Sequence, residues 1–194
     1  PDMQGIENLV LNNIGTASTL NMVDVTGLTA IKLNGSTAAS TFSNVGTVAG
    51  MTLTNMTVNP QTTTLNYTQA ALAGANVQTI TLDGSNTQTV AVTMAAGTNS
   101  LETVTVNSNS LANSLTTLNV SGVTPVTLNV TGTQDLTINS ITATSALTTV
   151  NASGSSGANV FTLGQAFTGT VTGGSGTDSL TLSTGTNTLS VSGV

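Results

Sequence analysis

The sequence lacks cysteine and histidine entirely, and Lys32 is its single basic residue against seven acidic ones. Without cysteine, the chain has no disulfides, no cysteine-based zinc site and no thiol nucleophile. Without clustered Lys and Arg, it cannot neutralise the phosphates of a nucleic acid or an anionic lipid surface, so we expect neither partner. Charged residues make up only 4% of the chain. The acidic excess among them favours cations as ligands.

The same absences argue against catalysis. Serine and cysteine nucleophiles lack the histidine that would activate them, and a polysaccharide lyase would need a basic residue beside clustered carboxylates. A glycosidase needs two convergent carboxylates. Glu7 with Asp24, and Asp83 with Glu102, have spacings that would allow such a pair on adjacent coils of a repeat fold, but solvated surface positions are the commoner arrangement. We therefore expect no enzyme activity.

Long apolar runs are also missing, and no stretch approaches the ~20 residues of a membrane-spanning helix. The apolar residues instead alternate with Thr, Ser and Asn, as in VQTITLDG (77–84) and LETVTVNS (101–108). Alternation with a period of two, rich in Val, Leu, Ile and Thr, is typical of half-buried β-strands. The sequence therefore predicts an all-β protein without a transmembrane segment.

Five of these segments share one template, in which an apolar residue is followed by two spacers, an apolar, a polar and another apolar residue. They begin at Leu28, Val77, Leu101, Leu115 and Leu147. Self-similarity at irregular intervals predicts a parallel β-helix or β-roll solenoid with irregular coils, about nine or ten of them. A β-sandwich would explain the alternation but not the template. The apolar residues expected inside are Leu33, Ile80, Leu82, Val104, Val106, Leu118, Val120, Leu128 and Val150.

The C-terminal part of the chain contains a glycine-rich motif in two copies. GSSGANVFTL (154–163) aligns with GGSGTDSLTL (173–182) at an offset of 19 residues. A weaker third copy, with Gly185, Asn187, Leu189 and Val191, follows nine residues later. The stretch 173–181 matches the nonapeptide G-G-x-G-x-D-x-U-x of calcium-binding β-helical repeats.

The chemistry of this motif suits calcium. Glycines at positive φ would direct backbone carbonyls inward, and the aspartate would add a hard anionic oxygen. A turn that binds nothing is the alternative interpretation, because glycine and serine also end ordinary strands. We therefore treat Ca²⁺ as the candidate cofactor, with Asn159 supplying a neutral oxygen from the preceding coil. The candidate calcium-site residues are Gly154, Gly157, Asn159, Gly173, Gly174, Gly176 and Asp178.

Three N-terminal stretches carry a wider resemblance. QGIENLVLNN (4–13), LTAIKLNG (28–35) and STFSNV (40–45) resemble strands of RTX-type surface-layer (S-layer) proteins of Gram-negative bacteria. The matching residues are Gly5, Ile6, Glu7, Leu9, Leu11, Leu28, Thr29, Ala30, Leu33, Thr41, Phe42, Asn44 and Val45. The resemblance implies type I secretion, calcium-dependent folding outside the cell and assembly into a two-dimensional lattice on the cell surface.

We therefore expect residues 1–194 to be one β-solenoid segment of a longer protein, with RTX-like calcium-binding turns within 154–191. Its main partner would be further copies of itself, and cell-surface lipopolysaccharide is a second candidate. Two other functions remain open. The same architecture suits the stalk of an adhesin, and the Thr-x-Thr segments at 52–54, 79–81 and 103–105 are compatible with an ice-binding solenoid.

Overall fold

The computed structural model describes residues 3–56, 61–85, 88–94, 97–120, 126–143 and 147–194. Within these ranges the chain forms a β-solenoid of about seven turns. Most strands alternate along the chain between two long parallel sheets. The nine-stranded sheet contains β2 (Asn8–Asn12), β5 (Ala30–Asn34), β7 (Gly50–Thr54), β9 (Val77–Asp83), β11 (Thr103–Asn109), β13 (Val126–Gly132), β15 (Leu147–Ser155), β17 (Thr168–Thr172) and β19 (Thr188–Ser192).

The eight-stranded sheet alternates with it along the chain. Its strands are β3 (Ser18–Asn21), β6 (Ser40–Val45), β8 (Thr62–Tyr67), β10 (Gln88–Met94), β12 (Asn113–Val120), β14 (Leu136–Ala143), β16 (Asn159–Leu163) and β18 (Ser179–Thr181). A two-stranded sheet pairs β1 (Met3–Gln4) with β4 (Val25–Thr26), and Ala70–Leu72 forms a single 3₁₀ turn. Every strand pair among the described residues is parallel, which excludes the β-sandwich with its antiparallel neighbours.

The coils are irregular in length, as the sequence predicts. Paired residues of successive coils lie 19 positions apart at Phe161 and Leu180, but 29 positions apart at Leu53 and Leu82. Nine or ten turns would leave about 20 residues for each coil, and several coils are longer, so the solenoid has fewer turns than expected. The extra residues are accommodated in the connections between strands, so the strands keep their register while the loops vary in length.

The two sheets enclose one hydrophobic core, which runs along the solenoid. Alternate side chains of every coil point into it and stack in columns, such as Ile31, Met51 and Ile80, each at most 1% exposed. All nine residues expected inside from the sequence are buried. Each fully buried aliphatic side chain contributes about 1.5–3 kcal/mol, so these columns are the main source of stability.

Several polar side chains inside the solenoid are hydrogen-bonded to one another or to backbone carbonyls. The buried Tyr67 hydroxyl donates to Gln78 Oε1, and Gln78 Nε2 donates to the Ala49 carbonyl at 3.0 Å. Burial raises the pKa of the Tyr67 phenol, so it remains a neutral donor. At the N-terminal end an exposed amide ladder links successive coils: Asn34 donates to Asn12 at 3.0 Å, and Asn55 donates to Asn34 at 3.2 Å.

Candidate metal centre

The two copies of the glycine-rich motif lie on neighbouring coils in the register that the sequence alignment predicts. β16 pairs with β18 so that Val160 faces Ser179, Phe161 faces Leu180 and Thr162 faces Thr181. The 19-residue offset is therefore confirmed. The turn before β18 consequently lies directly against the turn before β16.

Backbone contact between these turns explains two of the glycines. A Cβ built on Gly176 would lie 2.4 Å from the carbonyl oxygen of Gly157. A Cβ on Gly157 would lie 2.3 Å from the carbonyl oxygen of Gln134, one coil earlier. Real Cβ atoms do not approach carbonyls this closely, so any side chain at either position would separate the coils. Glycine at these two positions is required by the close stacking of three successive coils.

The remaining candidate glycines also make close contacts. A Cβ on Gly174 would lie 2.3 Å from the Ser155 carbonyl oxygen, and a Cβ on Gly173 would lie 1.7 Å from that of Gly193. Gly154 is the exception, since its nearest neighbour is Thr131 Cγ2 at 3.1 Å on the preceding coil. The structure thus brings Gly173 and Gly174 to the turn before β18 but leaves Gly154 within β15, paired with Thr131 of β13.

The expectation that these five glycines adopt positive φ is wrong. Left-handed backbone occurs at other glycines, for example Gly185 at φ 124° and Gly193 at φ 64°, but not at positions 154, 157, 173, 174 or 176. The physical reason is the stacking just described. Except at Gly154, glycine is needed because a side chain would overlap the neighbouring coil, and not because of the sign of φ.

The carboxylate of Asp178 is the chemical centre of the turn. Its Oδ1 accepts hydrogen bonds from the backbone N–H of Asn159 at 2.8 Å and from Asn159 Nδ2 at 2.7 Å. Its Oδ2 accepts from the backbone N–H of Gly174 at 2.5 Å. Asp178 therefore links its own turn to the preceding coil through three N–H donors.

Asn159 is fully buried and presents its amide nitrogen to Asp178. The same Nδ2 donates to the Gly157 carbonyl at 3.0 Å, while Oδ1 accepts from the Ser155 hydroxyl at 3.3 Å. This orientation differs from the expected one, in which the side-chain oxygen of Asn159 faces a metal ion. An ion coordinated by the Asn159 oxygen would require this amide to rotate and give up both donor bonds.

The residues of the turn match calcium in ligand type. Calcium takes six to eight oxygen ligands from carboxylates and backbone carbonyls, and this turn combines one carboxylate with several carbonyls. Among the residues that the structure describes, no group of three or more His, Cys, Asp or Glu side chains converges. An ion here would therefore depend on Asp178 for its anionic ligand and on the backbone for the rest. The calcium site remains a prediction.

Other acidic residues have separate positions. Asp83 faces Asn109 at one end of the β9–β11 pair, whereas Glu102 precedes Thr103 at the other end, so the proximity allowed by their spacing does not occur. Glu102 Oε2 accepts from the backbone N–H of Asn76 at 2.8 Å. This carboxylate serves as a hydrogen-bond acceptor between coils.

Three further polar residues occupy comparable positions, and only one of them belongs to a copy of the glycine-rich motif. Asn187 belongs to the weak third copy, whereas Asn113 and Asp135 were missed. Asp135 Oδ1 accepts from the backbone N–H of Ala158 at 2.8 Å. Asn113 and Asn159 pair with Leu136 from the coils before and after it, so all three stack in one column. A sequence alignment offset by two coils would therefore have placed Asn113 opposite Asn159.

The comparisons with known proteins give no assignment. Scans against protein-family models, curated proteins and solved structures each find no match. No described segment forms a helix of the length and apolarity needed to cross a membrane. The parallel solenoid itself is consistent with an RTX-like β-roll segment.

Proposed function

We propose that this chain is a β-solenoid segment of a calcium-stabilised, RTX-type S-layer protein, secreted and assembled on the outside of a Gram-negative cell. Its role is structural and not catalytic. The stacked glycine-rich turns and the resemblance of residues 4–45 support the RTX relation. Secretion by a type I exporter and attachment to lipopolysaccharide follow from that resemblance and belong to the same proposal.

The outer face of the nine-stranded sheet carries the argument for self-association. Its side chains form neutral columns in register, for example Thr103, Thr127, Thr149, Thr170 and Ser190. Burying charges in a protein contact is costly, whereas hydroxyl groups can exchange water for hydrogen bonds across an interface. Lys32 and Asp83 are the charged residues among the described outward positions of these strands. A long and mostly uncharged face with regular spacing therefore favours contacts between copies.

Calcium enters this proposal through Asp178. A site with one carboxylate is expected to bind in the ~10⁻⁴–10⁻³ M range of extracellular calcium modules. A ligand that binds only the native state stabilises it by RT ln(1 + [L]/Kd), so calcium outside the cell would favour the folded, assembling form.

Electron microscopy of the full-length protein tests the proposal. We expect ordered sheets at millimolar calcium and their loss after chelation with EDTA. Magnesium at the same concentration is the control, because it has the same charge but different coordination requirements. A full-length protein that stays monomeric in calcium and binds glycans would contradict the S-layer function and favour the adhesin.

A further inference from the structure

One side-chain arrangement recurs where coils of the C-terminal half turn into a strand. We call Asn113, Asn159, Asp178 and Asn187 the corner residues, because each begins or directly precedes a strand and hydrogen-bonds to a backbone group two or four residues earlier. Three of them are asparagine, and one is aspartate. Their hydrogen bonds show how each corner is closed.

Asn187 closes its corner with both ends of the amide. Its Oδ1 accepts from the backbone N–H of Phe167, on the preceding coil, at 3.0 Å. Its Nδ2 donates to two carbonyls of its own turn, Ser183 at 3.2 Å and Gly185 at 3.1 Å. The amide oxygen thus joins two coils, while the amide nitrogen holds together the carbonyls two and four residues earlier.

Asn113 repeats this pattern 74 positions earlier in the chain. Its Oδ1 accepts from the backbone N–H of Ser85, on the preceding coil, at 2.7 Å. Its Nδ2 donates to the carbonyls of Leu111 at 2.7 Å and Asn109 at 3.0 Å, again two and four residues earlier. Asn159 makes the corresponding bond to Gly157, two residues earlier. The arrangement is therefore a property of the coil and not of one local sequence.

Asp178 keeps only half of the pattern. Its Oδ1 accepts from the N–H of Asn159 on the preceding coil, as the oxygens of Asn113 and Asn187 do on theirs. A carboxylate has no N–H to donate, so it cannot bridge the carbonyls of its own turn. Its second oxygen instead accepts from the Gly174 N–H, four residues earlier.

We infer that the asparagine Nδ2 groups bind the turn carbonyls that a cation would bind at an aspartate corner. This solenoid therefore forms without metal. An N–H group and a calcium ion both satisfy backbone carbonyl oxygens. Three of the four corners already have the N–H group. Calcium then acts at the Asp178 corner alone, and only this last step rests on the proposed function.

Circular dichroism and thermal unfolding of the chain in EDTA give the first test. We expect a β-sheet spectrum and a cooperative transition without divalent cations. A chain that is unfolded in EDTA and folds on addition of calcium would overturn the inference while supporting the calcium role. A chain that folds in EDTA but does not respond to calcium would leave the inference standing and remove calcium from the proposed function.

The second test replaces one amide by a carboxylate. Asn187→Asp keeps the acceptor for Phe167 but places an oxygen against two carbonyl oxygens. Asn129→Asp, at a half-buried site in the middle of β13, is the control with the same change in charge. In EDTA we expect Asn187→Asp to lower Tm by roughly 3–6 °C and the control to change it by no more than about 1 °C.

Calcium should then raise the Tm of Asn187→Asp more than that of the parent chain, because a cation can occupy the place of the lost N–H groups. Equal Tm values for the two variants in EDTA would overturn the inference. A destabilised Asn187→Asp variant that gains no more from calcium than the parent would also overturn it, because amide and cation would then not be interchangeable.

Discussion

Two glycines of the N-terminal half and two of the C-terminal half have different surroundings. Gly5 and Gly74 adopt φ 67° and 86°, and a Cβ on either would have no neighbour within 4 Å. Gly157 and Gly176 lie outside the left-handed region, and a Cβ on either would overlap the backbone of an adjacent coil. The first pair allows the chain to turn, and the second pair allows coils to touch. One residue type therefore has two physical roles in the same solenoid.

Substitution at a stacked glycine should have the largest effect. The Cβ of Gly157→Ala would lie 2.3 Å from both the carbonyl carbon and the carbonyl oxygen of Gln134, so the backbone of one coil must move. We expect a loss of about 1–3 kcal/mol in the free energy of unfolding, measured by urea denaturation. Gly46→Ala is the matched control, because nothing lies within 4 Å of its Cβ and its φ is not left-handed. Equal stability of the two variants would show that the coils do not stack as closely as described.

Substitution of Asp178 should have the next largest effect, on the response of Tm to calcium. At about 10 mM calcium and a dissociation constant of ~1 mM, binding stabilises the parent by about 1.4 kcal/mol, a Tm rise of roughly 3–6 °C. Asp178→Asn should remove this response while preserving the β-sheet spectrum, because asparagine closes the other corners. Asp178→Ala should remove the response and also lower the Tm in EDTA.

Thermal unfolding with and without calcium measures both variants. A response of Asp178→Asn equal to that of the parent would place the ion elsewhere. If calcium does not change the Tm of the parent chain, the glycine-rich turn binds no calcium and the calcium interpretation is wrong.

Substitution at an open glycine should have the smallest effect. Gly74→Ala puts a Cβ into open space but retains a left-handed φ of 86°. Only backbone strain opposes the change, so we expect a loss of about 1 kcal/mol. Urea denaturation beside Gly157→Ala gives the comparison directly. A larger loss at Gly74 than at Gly157 would reverse the roles assigned to the two pairs.

The strands and the core were predictable from sequence, because burial in a strand follows a local rule. Ile80 and Leu82 alternate with Thr79 and Thr81, so a period of two assigns each side chain to the inside or the outside without knowledge of its neighbours. The pairing of Phe161 with Leu180 was predictable for a related reason. A repeat stacks equivalent residues on each other, so an internal alignment is also a register.

The roles of the glycines and of Asn113 required the tertiary structure. Whether Gly157 turns the chain or touches Gln134 depends on a residue 23 positions away, and nothing local distinguishes the two. Coil number depended likewise on loop lengths that alternation does not record. The side chains that face inward follow from the local sequence, because that choice depends on neighbours along the strand. The turns that meet, and the groups that fill the space between them, are visible in the folded chain alone, because those contacts join residues about one coil apart.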